Sequence, residues 1–335
     1  KGGVTVCGPR PEGSESLKDA AEQEEYQTLV EQLWGAEGTA PGVRRIGKGK
    51  LYHGMPLPEV LKMENIRPDI AIKSGNTVKD KVYFTHRRLA DADVYFLNNH
   101  SKRAFNDTIR LRTEACYAEY WDAVTGQRYA LPVESTGSQG ILLKLVLAPR
   151  ESGFIVASDY PNSTLSPRIA NVKEDITVVD GAWNVYFDPE WGGPGEVVFN
   201  ELTDWSKHTD SAIRFYSGTA VYRKDLSLST PKQGERMLLR FPHLGSLARV
   251  WINGKEVATV WCSPWEVDVT EYIKEGINSL KIEVVNSLMN RMIGDASLPQ
   301  EERYTYAYPE IATPKDKLIS SGIIKELLLV KQFLE

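Results

Sequence analysis

Residues 248–286 read ARVWINGKEVATVWCSPWEVDVTEYIKEGINSLKIEVVN, and this stretch decides the fold. Ala248–Ile252 and Lys255–Val260 alternate in polarity with the period of a half-buried strand. Asn253-Gly254 stands between them. A two-residue type I′ turn needs positive φ at both central positions, which these residue types tolerate best, so the pair predicts an antiparallel hairpin. Trp265–Val269 and Ser279–Val285 supply two more strands, with Thr270 placed to cap a short EYIK turn and Gly276 placed to end it. On this reading Trp251 and Trp183, both on alternating strands, fill the core.

Working outward, the same period recurs at Ile176–Val179, Trp183–Phe187, Glu196–Phe199, Ala220–Leu228, Met237–Phe241 and Ile323–Val330. Ten short strands predict a jelly-roll sandwich over 172–335. Upstream, YPNSTLSP (160–167) carries two prolines and marks a boundary within Ser158–Asn171. Before it, KVYFTHRR, DADVYFLNN, FNDTIRLR, AEYWD, GQRYALPV, QGILLKLVLAP and SGFIVAS predict an antiparallel β-sandwich over 79–160. Residues 1–78 read differently: a buried strand at 3–7, then a helix over 19–34 with Tyr26, Leu29, Val30, Leu33 and Trp34 on one stripe. A Gly/Pro loop, a strand near Lys50–His53 and a short helix near Pro58–Met63 follow. Two strands and two helices cannot cover both faces of a parallel sheet, so 1–78 is expected to be a partial α/β segment that continues upstream. The fold class is mainly β, with two sandwich modules behind that segment.

Composition narrows function by exclusion. The 335 residues are 41% hydrophobic and 25% charged with a formal net charge of -5, a globular balance without the basic field that grips nucleic acid. No apolar run approaches the roughly 20 residues that span a bilayer. Cys7, Cys116 and Cys262 lie far apart, with neither metal-knuckle nor disulfide-framework spacing.

The 248–286 stretch, with its NGK hairpin, its D-V-T turn (Asp268–Thr270) and its G-x-N turn (Gly276–Asn278), resembles the sugar-binding jelly roll of glycoside hydrolase family 2. GAWNVYFDPEWGGPGEVVFNELTDWSKHTDSAIRFYSGTAVYRK, NSLMNRMIGD and FTHRRLADADVYFLNNHSKRAFNDTIRLR, with the opening GGVTVCGPRPEGSESL, resemble the C-terminal region of α-L-rhamnosidases of glycoside hydrolase family 106. That resemblance implies a galactose-binding-like jelly roll at the end of the chain. It also implies an upstream (β/α)₈ barrel that carries the two catalytic acids and acts on rhamnose-containing plant polysaccharides, in the periplasm or outside the cell. No catalytic residue is therefore assigned to this chain.

Glycoside hydrolysis needs two carboxylates roughly 5–5.5 or 6.5–9.5 Å apart. Asp91 with Asp93, Asp188 with Glu190, and Glu301 with Glu302 are candidate pairs, and each reads as a solvated loop or strand end. Sugars present C–H faces to flat rings, which makes Trp191, Trp205, Trp261 and Trp265, in loops or at strand ends, the sugar-binding candidates beside the alternative of core packing. His86, Arg87 and Arg88 alternate across a strand and cannot all serve one pocket. Asn290, Arg291 and Asp295 form a polar turn in which Arg291 can pair with a carboxylate. No cofactor is implied; calcium on Asp295 or Asp188 is conceivable from oxygen donors alone, without EF-hand spacing. Three functions compete: an accessory region of a rhamnosidase-like hydrolase, a stand-alone carbohydrate-binding protein, and a structural interaction module.

Overall fold

A computed structural model describes residues 3–13, 23–73, 81–161, 163–168, 172–306 and 311–334. The chain divides into two compact units: one holds 1–71 with 110–114 and 137–141, the other holds the rest.

In the smaller unit β1 (Thr5–Cys7), β2 (Gly42–Ile46) and β3 (Gly49–His53) form a sheet in the order β1-β3-β2, with β1 parallel and β2 antiparallel to β3. Helices α1 (Gln23–Trp34) and α2 (Leu57–Met63) complete it, and β4 (Ile70–Ile72) follows. The expected helix residues 19–22 lie outside the described residues. Three readings change here. All three residues of β1 are exposed rather than buried. Leu29 is 48% exposed and Val30 is the buried member of the helical stripe. Strand β2 occupies part of the expected Gly/Pro loop, where pairing with β3 satisfies its backbone. We expect amides of β1–β3 to exchange faster in hydrogen exchange than the central strands of the larger unit, because so short a sheet opens at lower cost. Equal protection would show a self-sufficient core.

The larger unit contains two sandwiches. The first uses β5 (Val82–Arg88), β6 (Ala92–Asn99), β7 (Phe105–Leu111), β8 (Tyr117–Asp122), β9 (Arg128–Leu131), β10 (Val133–Ser135), β11 (Ile141–Leu147) and β12 (Ser152–Ser158). Five of them pair in the order β5-β6-β12-β8-β9, and β10-β11-β7 run beside one another in a second sheet. Alternation buries Tyr95, Leu97, Tyr120, Ile155 and Ala157 from the first sheet and Ile109, Leu143, Leu145 and Leu147 from the second. His86 pairs with Asp93 at 3.0 Å and stacks on Tyr95, a structural contact. Asp93 is thus buried and not a solvated strand end.

The second sandwich carries β13 (Lys173–Val178), β14 (Trp183–Phe187), β15 (Gly195–Phe199), β16 (Thr219–Leu228), β17 (Glu235–Arg240), β18 (Leu244–Gly245), β19 (Leu247–Ile252), β20 (Lys255–Val260), β21 (Glu266–Asp268), β22 (Gly276–Val285), β23 (Gly322–Ile323) and β24 (Leu328–Phe333). A six-stranded sheet in the order β15-β14-β16-β22-β19-β20 faces a four-stranded sheet in the order β13-β24-β17-β21. Trp183, Val185, Phe187, Tyr222, Val250, Ile252, Ile282 and Val284 meet Met237, Leu239 and Val267 in one core. Each large side chain so buried contributes roughly 1.5–3 kcal/mol.

The Asn253-Gly254 hairpin forms with both φ values positive, +51° and +78°. Thr270 does not cap the following turn: Asp268 Oδ1 accepts from the Thr270 N–H at 3.0 Å, and the Thr270 hydroxyl accepts from Met237 N–H at 2.9 Å. Trp251 is not in the core. Val250 and Ile252 point inward, so the strand turns Trp251 and Arg249 to the outer face, where the indole is half-buried.

Candidate functional site

The register across the six-stranded sheet locates its loops. Phe187 pairs with Ala220, Ala220 with Val284, Val284 with Ala248, and Ala248 with Val260. The segments that leave β14 and β20 therefore emerge at one end of the sandwich, and they carry Trp191 and Trp261 respectively.

At the β14 side the loop begins with Asp188, whose Oδ1 accepts from the Glu190 N–H at 2.9 Å and starts a 3-10 turn over Pro189–Trp191. Gly192 ends the turn at φ +75°, and a Cβ there would lie 2.9 Å from the Tyr304 ring and 3.1 Å from an Arg291 nitrogen. Only glycine lets this loop close over those two side chains. Arg291 lies on the helix α4 (Met289–Asp295, with α3 being Ser211–Arg214), 6% exposed, with its Nε 3.0 Å from Asp295 Oδ1 and its guanidinium 5.0 Å from the Tyr304 ring centroid. The ion pair is close but poorly angled for a hydrogen bond, so it is mainly Coulombic. The other Asp295 oxygen accepts from the backbone N–H and the hydroxyl of Thr305, both at 2.7 Å. Asn290 ties the helix to the segment around Ile319 through bonds of 2.7 and 2.8 Å. The expected polar turn is thus a buried anchor that fixes three loops, with Trp191 (49% exposed) and Tyr304 on its outer surface.

The four candidate tryptophans are not brought together. Trp205 is fully buried, which corrects its assignment as a sugar platform. Its Nε1–H donates to the Tyr222 hydroxyl at 2.7 Å, and Phe187 and Tyr216 meet the ring edge-to-face at 5.2 and 5.9 Å. Trp265 is half-buried against the jelly-roll core. Trp261 is 60% exposed beside the segment whose Ser263 hydroxyl donates to Pro149 O at 2.5 Å. Trp191 and Trp261 remain accessible, but their parent strands are four spacings apart in the sheet, about 4.8 Å each. They do not flank one sugar ring.

Three of the carboxylates considered for catalysis or calcium, Asp93, Asp188 and Asp295, are used structurally. Asp188 caps its turn and Asp295 faces Arg291 and Thr305. No group of three or more His, Cys, Asp or Glu side chains is placed to hold a metal among the described residues. Glu151 receives the Tyr120 hydroxyl at 2.7 Å and pairs with Arg168 at 2.5 Å. Burial raises the Asp204 carboxyl, but bonds from Ser206, Ser321 and Ser320 outweigh it and hold the pKa below the ordinary value. Glu174 is likewise held down by Arg240, against burial and with help from Gln332. A general acid for glycoside hydrolysis needs the opposite shift. Sequence reasoning missed Tyr304, which sits in a loop without a periodic signal, and Trp251, whose parity with Arg249 was the available sign.

This is an end-loop surface on a galactose-binding-like jelly roll, and the comparisons place it in a glycosidase-related protein. Residues 1–134 match the family model described as alpha-L-rhamnosidase, glycoside hydrolase family 106, and residues 200–317 match that of the glycosyl hydrolase 2 galactose-binding domain-like family. A rhamnosidase from Novosphingobium sp. PP1Y superposes with a TM-score of 0.78 at 27% identity over 98% of this chain and 31% of that one. A putative beta-glucuronidase from Formosa agariphila is 30% identical over 171 residues, 50% of this chain and 14% of that protein. This chain therefore spans under a third of either. The likeness is divided along the chain, to the family 106 model in 1–134 and to a family 2-type galactose-binding jelly roll in 200–317.

Proposed function

We propose that the chain is the accessory, non-catalytic C-terminal region of an α-L-rhamnosidase-like glycoside hydrolase acting on plant polysaccharides in the periplasm or outside the cell. The observation that carries this reading is the superposition of nearly the whole chain on under one third of a rhamnosidase. The carboxylates support it: Asp93, Glu151, Asp204 and Asp295, the buried acids among the described residues, each serve a partner within the fold. On this reading the partner is a catalytic barrel of the same enzyme, and the sandwiches buttress it beside a rhamnose-containing glycan.

The test is incubation of the chain with aryl α-L-rhamnoside. We expect release of the aryl alcohol at the buffer rate. Turnover that disappears on neutralising one acid of this chain, for example Glu190→Gln, would overturn the accessory role.

A further inference from the structure

The end loops are one surface of the jelly roll; the outer face of its six-stranded sheet is another. Register sets Arg223 of β16 opposite Lys281 of β22, and Lys281 opposite Trp251 of β19. Two residues along, on the same face, Asp225 stands opposite Ser279. These five side chains, with Lys224, line a hollow of about 420 Å³ beside the Asn253-Gly254 hairpin. That is within the roughly 300–1,000 Å³ of small-ligand sites.

The chemistry of the lining is unlike that of the opposite sheet. There, Arg240 is closed between Glu174 at 2.8 Å and Glu266 at 2.7 Å, and Arg236 meets Asp268 at 2.9 Å. On the six-stranded sheet Arg223 reaches Glu196 at 3.5 Å, and both side chains are about half exposed. One long contact leaves most of the guanidinium's five donors unspent. Lys281 places its ammonium 3.6 Å from the centroid of the Trp251 ring while also meeting Glu283 at 3.1 Å. A large aromatic surface is thus turned to the outside among charged groups, where a merely solvated face needs no indole.

The geometry points to a binding site for an anionic sugar, a hexuronate. Two cations, Arg223 and Lys281, against one carboxylate favour a ligand with a single negative charge, because the Lys224 ammonium is turned away to donate to Ala182 O at 2.9 Å beside the Trp183 ring. Asp225 opposes a dianionic phosphate by like-charge repulsion but accepts hydrogen bonds from sugar hydroxyls. Ser279 supplies a second hydroxyl partner, Trp251 the flat surface for a C–H face, and Arg223 the fork that matches a carboxylate. This site does not rest on the accessory role: it stands or falls on binding, whether or not the chain hydrolyses anything.

Galacturonate and glucuronate differ from galactose and glucose at C6, carboxylate against hydroxymethyl, which makes the pairs the probes of choice. Each is titrated into the full chain while the Trp251 indole N–H, identified by its loss in Trp251→Phe, is followed by NMR. Saturable shifts are expected with the uronates at millimolar concentration, weakening as salt is added. In calorimetry Arg223→Gln and Lys281→Gln are expected to weaken uronate binding about tenfold, the loss of one charge-assisted hydrogen bond. Trp251→Ala is expected to abolish it, and Trp191→Ala to leave it unchanged. These residues lie on an exposed face, so circular dichroism should show the variants folded. Equal binding of the neutral sugars would overturn the anionic assignment. No saturable shift with either uronate, or wild-type affinity in Arg223→Gln and Trp251→Ala together, would remove the site.

Discussion

Trp205→Ala is expected to lower the stability of the jelly roll by about 3–5 kcal/mol, the range for emptying a buried aromatic position. The indole is fully buried and meets Phe187 and Tyr216 edge-to-face. Its N–H donates to Tyr222, whose phenol burial holds well above its ordinary pKa, so the hydroxyl stays protonated and loses its donor in the variant. The cavity cannot be filled from the Gly322 side, because that residue, at φ +94°, has no side chain, and a Cβ built there would stand 2.4 Å from the present Trp205 Nε1. Trp191→Ala, by contrast, removes a half-exposed ring and should change stability by no more than about 0.5 kcal/mol. Urea denaturation monitored by near-UV circular dichroism, with hydrogen exchange on β16 and β22, measures both. A cost below about 1 kcal/mol for Trp205→Ala would mean that the sandwich is not built around this ring.

That contrast shows where the sequence was legible. TDWSK and DPEWGG look alike: each has an Asp before a tryptophan, and each folds as a 3-10 turn started by that Asp. What sends one indole inward is Gly322 and Tyr222, far away in the chain, and no local pattern reports them. Strand positions were legible because alternation is local, and Asn253-Gly254 because positive φ is a property of the residues themselves. Strand order was not, since β24 slots between β13 and β17 only after the whole domain has been made. Strand β2 was lost for the same reason: GVRRI places two arginines between its apolar residues, and pairing with β3 makes it a strand. Trp251 is the instructive error, for Arg249 two residues earlier already marked the outer parity of that strand. The anchor at Arg291 was the part of the candidate site closest to legible, since its i,i+4 spacing to Asp295 lets the two meet on one helix face.

Breaking that anchor from one side should be costly. Arg291→Ala leaves the Asp295 carboxylate, 2% exposed, with the two Thr305 bonds but without its countercharge. Asp295→Ala leaves a guanidinium that is 6% exposed and faces the Tyr304 ring, and frees the Thr305 N–H and hydroxyl as well. Each is expected to cost about 3–5 kcal/mol, the scale for stranding one member of a buried pair. The double variant Arg291→Met with Asp295→Leu fills similar volume without charge, and should recover most of that loss because the desolvation of both ions disappears with the ions. Asp295→Asn separates the two roles: the amide oxygen can still accept from Thr305, so any remaining loss measures the charge on Arg291. A denaturation-based double-mutant cycle reads the coupling directly. If the single variants cost no more than an exposed ion pair, up to about 1 kcal/mol, the end loops are not fixed by this pair. Trp191 and Tyr304 would then owe their placement to the glycine turn at Gly192 and to Asn290, and Gly192→Ala should disorder the loop where Arg291→Ala does not.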